Sequence, residues 1–357
     1  MTTVTTHPES AGGAAPAVFA VSTGRCGSTL LSDMLRLNPR VLSLSEFFGL
    51  LLSGPFPEGE LTGERYWELL STPHPFVTAA YRAGVPIGEF RYRPGPGSRF
   101  DAGTGIPPVL VTSLPHLSDE PDALYDEVGT FVRALSPAPI ADQHRALFDW
   151  LTARFGAEVW VERSGFSLRH VPELVRLFPD ARFVHLYRDG RESAYSMSRS
   201  GAFRLGTVFG RLQQALGVNP YLQDVPEGVS VPQELVPLMP DTFDLAAFEA
   251  VELPAEDFGR VWADQIATGL GGLREVPAGC VLQISYEQLT EDTATTLKAL
   301  AGFLGIDCPD AWVEQSSGLV LHRPPGWLSL PEAEREKLDL ACHDAMALLA
   351  ASGLGVR

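Results

Sequence analysis

The most constraining stretch of the chain is Val18–Leu31, VFAVSTGRCGSTLL. Val18–Val21 is a short apolar run of the kind that forms a buried strand. Ser22–Gly27 is a small glycine-containing turn, and from Ser28 the spacing of Leu30, Leu31, Met34, Leu35 and Leu37 is helical. A strand, a tight loop and a helix in that order form an anion cradle, because the loop amides and the helix N-terminus face one space. This order predicts an α/β fold. It does not by itself separate a phosphate site from an ordinary strand–turn–helix.

The loop differs from that of a nucleotide kinase, G-x-x-x-x-G-K-[ST]. With Gly27 as the second glycine, Ser22 stands where the first belongs and Ser28 replaces the lysine; only Thr29 is kept. The basic group is instead Arg25, inside the loop. In this form the loop resembles the 5′-phosphosulfate loop of sulfotransferases that use PAPS (3′-phosphoadenosine 5′-phosphosulfate). The resemblance implies cofactor contacts from Gly24, Arg25, Cys26, Gly27, Ser28 and Thr29.

A second match lies in Phe183–Ser200, FVHLYRDGRESAYSMSRS. A strand ends at Arg188, and Ser196 follows two helical turns later. This resembles the family's 3′-phosphate motif, in which a guanidinium grips the phosphate and a hydroxyl adds a neutral donor. Asp189 beside Arg188 is equally suited to capping a helix. The stretch RLFPDARFVHLYRDGRESAYSMSRS is closer to the bacterial, carbohydrate and tyrosylprotein types than to the cytosolic type. Tyr286-Glu287-Gln288-Leu289 resembles the family's Y-E-D-L segment near the adenine. Arg323 and Gly326-Trp327 resemble, in shortened form, the C-terminal loop over the 3′-phosphate. Arg163 stands where many relatives carry a lysine, which makes it a candidate to assist Arg25.

Two residues compete for the role of base. Glu46, between Leu44 and Phe47-Phe48, is a carboxylate in apolar surroundings, where desolvation raises the pKa toward that of a general base. His116, in Leu114-Pro115-His116, follows an expected strand, as does the histidine of the cytosolic sulfotransferases. The resemblance implies sulfuryl transfer from PAPS to a hydroxyl, with release of PAP. Glu46, Arg25 and Arg163 would be the catalytic residues and Arg188, Ser196, Tyr286 and Arg323 further cofactor ligands. Two other readings remain at this point: a P-loop kinase or hydrolase, and a non-catalytic nucleotide-binding relative.

Composition narrows the partners. The chain has 357 residues and a formal charge of −17, which argues against a broad nucleic-acid or anionic-membrane surface. An anionic cofactor then needs a local group of arginines. The four cysteines, Cys26, Cys280, Cys308 and Cys342, form no C-x-x-C pair, so a disulfide framework or zinc site is not expected and a cytoplasmic location fits. No metal is implied, and no run is long enough to span a membrane. The acceptor class, whether small molecule, carbohydrate or lipid, and the oligomeric state are not legible.

Along the chain, residues 1–16 read as a flexible tail and 17–357 as one α/β domain, with a P-loop-like parallel sheet flanked by helices on both faces. Strands are expected at Val41 onward, Pro108–Leu114, Glu158–Val161, Arg182–Tyr187 and Cys280–Ser285. Helices are expected at Glu64–Leu70, Pro139–Phe155, Leu168–Phe178, Gly190–Ser200, Ala255–Leu273, Thr290–Leu304 and Glu332–Ala351. Pro73–Pro108 is dense in Pro, Gly and Arg and reads as irregular surface belonging to a site or a partner. Gly201–Pro254 reads as a variable insertion, too rich in proline for a long helix, bordering the acceptor pocket.

Overall fold

The structure is a computed structural model that describes residues 17–277 and 279–352; the expected tail at residues 1–16 lies outside the described residues. Five strands form the central sheet: β1 (Val18–Val21), β2 (Val41–Ser45), β3 (Val159–Arg163), β4 (Arg182–Tyr187) and β5 (Val281–Ser285). Their spatial order is β2-β3-β1-β4-β5, and every pairing is parallel. Val18 of β1 stands opposite Val161 on one side and Arg182 on the other.

Because side chains alternate along a strand, the sheet has an apolar residue for each of two cores. Phe19, Leu42, Leu44, Trp160 and Phe183 face one core. It is closed by the helices Ile140–Phe155, Val171–Leu177, Ala255–Leu273 and Glu332–Ala351 through Phe148, Leu174, Trp262 and Leu338. Val18, Ala20, Val161, Val184 and Ile284 face the other. There the helices Ser28–Arg36 and Thr293–Leu304 supply Leu31, Met34, Leu297 and Leu300. The sheet is therefore buried on both faces, which is why its strands read as apolar runs rather than as alternation.

Two expected elements differ. Pro108–Leu114 is not a strand but two short helices, Pro108–Val111 and Ser113–Leu117. The run is buried on all sides, so periodicity could not separate helix from strand, and Pro108 at the first helical turn fits where no amide is needed. Gly201–Leu216 is a sixteen-residue helix. Its buried Leu205, Val208, Phe209, Leu212 and Leu216 keep helical spacing, and the prolines that argued against a helix begin only at Pro220.

The chain moves from β1 outward to β2 on one side and later to β4 and β5 on the other. The loops after β1, β3 and β4 consequently gather at the carboxyl ends of adjacent strands, where open parallel sheets bind ligands. No helix among the described residues is long and apolar enough to cross a membrane.

Candidate active site

The loop after β1 is shaped by left-handed backbone. Gly24 has φ +80°, Arg25 +55° and Gly27 +87°. Both glycines are required by space as well as by φ. A Cβ on Gly27 would stand 2.3 Å from Cδ2 of Tyr286, and one on Gly24 would stand 2.8 Å from Cζ of Phe203. The helix opens at Ser28, and its first amides have no carbonyl one turn earlier to bond. Ser28 is buried, Thr29 is half-buried, and the Cys26 side chain is fully buried in the second core. Burial pushes the Cys26 thiol up from its ordinary value, so Cys26 can offer the site only its backbone.

The first and second motifs meet directly. Arg25 Nε donates to Ser196 Oγ at 3.1 Å, and Arg25 Nη1 pairs with Glu89 Oε1 at 2.8 Å. Arg188 lies over the ring of Tyr286, 4.2 Å from its centroid, with Nη2 3.4 Å from Glu192 Oε1. The Tyr286 ring thus packs against both Gly27 and Arg188. Asp189 caps the helix Gly190–Ser198, accepting from the amides of Arg191 and Glu192, and pairs with Arg191 rather than Arg188. The C-terminal loop is anchored nearby: Trp327 N donates to Glu192 Oε2 at 3.1 Å, and Arg191 stacks on the Trp327 ring. Arg323, four residues earlier, is exposed and has no hydrogen bond or ion pair among the described residues.

Glu46 heads the short helix Phe47–Leu50 in a left-handed conformation, φ +55°. Its carboxylate accepts from Gly165 N at 3.1 and 3.0 Å and from Arg163 Nη1. Gly165 leads into Phe166, whose amide lies 3.5 Å from where a Gly24 Cβ would stand, so the segment that holds the carboxylate also packs on the Ser22–Gly27 loop. Burial pushes Glu46 above the ordinary carboxylate range; Arg163 opposes this and Glu89 adds to it. Among the described residues, the non-glycine positions with positive φ are Arg25, Glu46 and Phe166. All three are at this site, where strained backbone commonly concentrates.

Two expectations change. Arg163 does not reach toward Arg25: its side chain is 1% exposed, and its three guanidinium nitrogens go to Ser32 Oγ, Glu46 and Ser45 Oγ. A strand buried on both faces turned it inward. His116 is also interior, with Nε2 3.2 Å from Ser43 Oγ and Nδ1 3.8 Å from Asp33 Oδ1. Burial and the arginines Arg91, Arg163 and Arg36 hold its pKa down to about 2. A histidine tucked between strand and helix in this way is not placed to meet a substrate oxygen.

Sequence reasoning missed Glu89, Glu162 and Ser164. Glu162 is buried, with its pKa pushed up to about 8 chiefly by desolvation. Glu89 belongs to the Pro-, Gly- and Arg-rich segment, which also sends Arg91 to Asp33 on the first helix at 2.6 Å. That segment and Gly201–Leu216 pack on each other, since a Cβ on Gly201 would stand 2.4 Å from Pro86 O. Between the two regions lies a cleft of about 570 Å³ lined by Thr78, Ala79, Leu205, Tyr221 and Phe243 among others.

Residues 122–224 match the Sulfotransferase family, a segment that includes Arg163, Arg188 and Ser196. Over that segment the chain is similar to the sulfotransferases, which are transferases. Among solved structures, the chain is similar to the sulfotransferase domain of the Synechococcus PCC 7002 olefin synthase, at 21% identity over 95% of this chain and 98% of that one, with a TM-score of 0.44. It is also similar to the sulfotransferase domain of the curacin biosynthetic pathway, at 15% identity, 95% and 99% coverage and a TM-score of 0.47. A sulfotransferase from Alicyclobacillus acidocaldarius aligns at 18% identity, 95% and 96% coverage and a TM-score of 0.40. No curated protein matches the chain.

Proposed function

We propose that the chain transfers a sulfuryl group from PAPS to an acceptor hydroxyl and releases PAP. The observation that carries this reading is the Arg25–Ser196 hydrogen bond. It joins the loop expected to hold the 5′-phosphosulfate to the helix expected to hold the 3′-phosphate. The residues present fit a doubly anionic nucleotide: a left-handed cradle at a helix start, two arginines, a hydroxyl, and Tyr286 between loop and arginine. When bound, PAPS supplies an activated sulfuryl group.

The chain's own residues then divide the work. Arg25 and the loop amides bind the 5′ anion and offset the charge that grows on the leaving oxygen. Arg188 and Ser196 hold the 3′-phosphate, with Tyr286 beside the base and Gly24, Gly27, Ser28 and Thr29 shaping the cradle. Glu46 takes the proton of the acceptor hydroxyl as its oxygen bonds to sulfur, and returns that proton to solvent after PAP leaves. Arg163 and the Gly165 amide keep Glu46 aimed at this task. Arg323, exposed in the stretch before Trp327, is assigned to the 3′-phosphate as the resemblance implies. We assign the acceptor side to the insertion, on the strength of Phe203 over Gly24, and the cytosol as location, on the strength of four unpaired cysteines.

Wild-type protein is to be titrated with PAP and AMP, then assayed for turnover with PAPS and a panel of an alkyl alcohol, a phenol, a hexose and a sterol. PAP is expected to bind roughly ten- to a hundredfold more tightly than AMP, the worth of charge-assisted contacts to one phosphate. Arg188→Ala should erase most of that preference. Equal affinity for PAP and AMP, or no sulfated product from any acceptor, overturns the reading.

A further inference from the structure

Four consecutive residues, Glu162, Arg163, Ser164 and Gly165, each hold a different point of the Glu46–Gly49 turn. Glu162 Oε1 accepts from Phe48 N at 3.2 Å. Arg163 O accepts from Glu46 N at 2.7 Å, and its guanidinium meets the Glu46 carboxylate. Ser164 Oγ accepts from Gly49 N at 2.8 Å while donating to Glu162 Oε1 at 2.5 Å. Gly165 N donates to both Glu46 oxygens. The grip is needed because Glu46 adopts a conformation that a side-chain-bearing residue rarely takes unaided. A helix of only four residues, Phe47–Leu50, also has few bonds of its own to maintain it.

The space around the turn is closed as well. A Cβ on Gly49 would stand 2.6 Å from Glu46 Oε2 and 3.4 Å from Cβ of Ser164. A side chain at position 49 would therefore crowd both the Glu46 carboxylate and Ser164. The Glu162 carboxyl fixes the Phe48 amide, the Ser164 hydroxyl fixes the next one, Gly49, and the Ser164 hydroxyl joins the two by donating to Glu162.

We propose that Glu162 and Ser164 are positioning residues for Glu46, clasping the turn that aims the base and making no contact with cofactor or acceptor. This deepens the proposed function and rests on Glu46 being the base. Glu162 acts here as a hydrogen-bond acceptor and not as an ion, so the neutral amide of glutamine can replace it. Burial pushes the Glu162 carboxyl up to about 8, which leaves Glu46 as the carboxylate that pairs with Arg163.

The test uses the full chain with PAPS and whichever acceptor of the panel the wild type sulfates fastest. Glu162→Leu and Ser164→Ala are each expected to lower kcat at least tenfold. PAP affinity, read by calorimetry, should stay within about twofold of wild type because the cofactor contacts lie in other loops. Glu162→Gln should recover kcat to within about threefold. A Ser164→Ala variant with unchanged kcat, or a Glu162→Gln variant as slow as Glu162→Leu, overturns the proposal, as does a loss of PAP affinity that parallels the loss of kcat. If Glu162→Leu does not fold, an unchanged kcat in Ser164→Ala or a kcat in Glu162→Gln at least tenfold below wild type overturns the proposal. A wild type that sulfates nothing overturns the functional reading itself, which these variants leave distinguishable.

Discussion

Neutralising Glu89 should tighten the binding of PAP. Glu89 is the carboxylate on Arg25, 2.8 Å from its Nη1, with side chains 34% and 24% exposed for Arg25 and Glu89. An anionic cofactor arriving at Arg25 must share or replace that partner. Fully hydrated charges at this separation attract by about 1.5 kcal/mol, and measured pairs with this much solvent contact retain only about 0.2–1 kcal/mol once screening and side-chain ordering are included. If the cofactor regains about 1 kcal/mol when Glu89 becomes Gln, its Kd falls about fivefold. Ser196 still holds Arg25 Nε in the variant, so the guanidinium keeps one of its two anchors. Calorimetric titration of PAP into wild type and Glu89→Gln at one fixed salt concentration reads the difference directly. A Kd that rises threefold or more would refute the reasoning, because Glu89 would then be shaping Arg25 for the anion instead of competing with it.

Other changes have equally definite outcomes. Glu46→Gln keeps the side-chain shape but cannot take a proton; kcat should fall about 10²–10⁴-fold with PAP affinity nearly unchanged, and a variant that turns over normally removes Glu46 as the base. In the wild type, kcat should fall as pH drops through the Glu46 pKa, since the ionised form is the base; burial raises that pKa, so the acid limb of the kcat profile should lie above the ordinary carboxylate range. His116→Ala should leave the position of that limb unmoved, because His116 is already neutral across the working range. Gly27→Ala places a methyl against the Tyr286 ring in a left-handed turn; thermal melting should show a loss of about 1 kcal/mol or more, together with weakened PAP binding.

The parts of the site legible in the sequence are those with local signatures. The Val18–Leu31 strand, loop and helix could be read from the change of apolar period at Ser28, and Arg188 with Ser196 from their resemblance to the sulfotransferase 3′-phosphate motif. Glu46 stood out as a lone carboxylate among Leu and Phe. The unread parts depend on long-range packing. Nothing in VWVERS tells which way Arg163 turns, because a strand covered on both faces has no solvent side to announce polar residues. Glu89 sits in a segment without periodicity, and its role exists only because that segment folds back onto Arg25. The sixteen-residue helix from Gly201 was obscured by prolines that belong to the next stretch, and Pro108–Leu114 was an apolar run equally suited to either secondary structure.

The place of β1 at the centre of the sheet also bears on how the chain is made. Both of its partners, β3 and β4, are encoded far downstream, with Val18 waiting for Val161 and Arg182. At translation rates of about 5–20 residues per second, that delay is on the order of ten to thirty seconds. Throughout it, an apolar strand and the left-handed loop after it have no sheet to join. The Ser22–Gly27 loop is thus synthesised well before the strands that give it its shape. Truncated nascent chains ending before Tyr187 should bind no nucleotide and should engage chaperones through Val18–Val21, since parallel pairing at such separation is slow and leaves strand edges exposed.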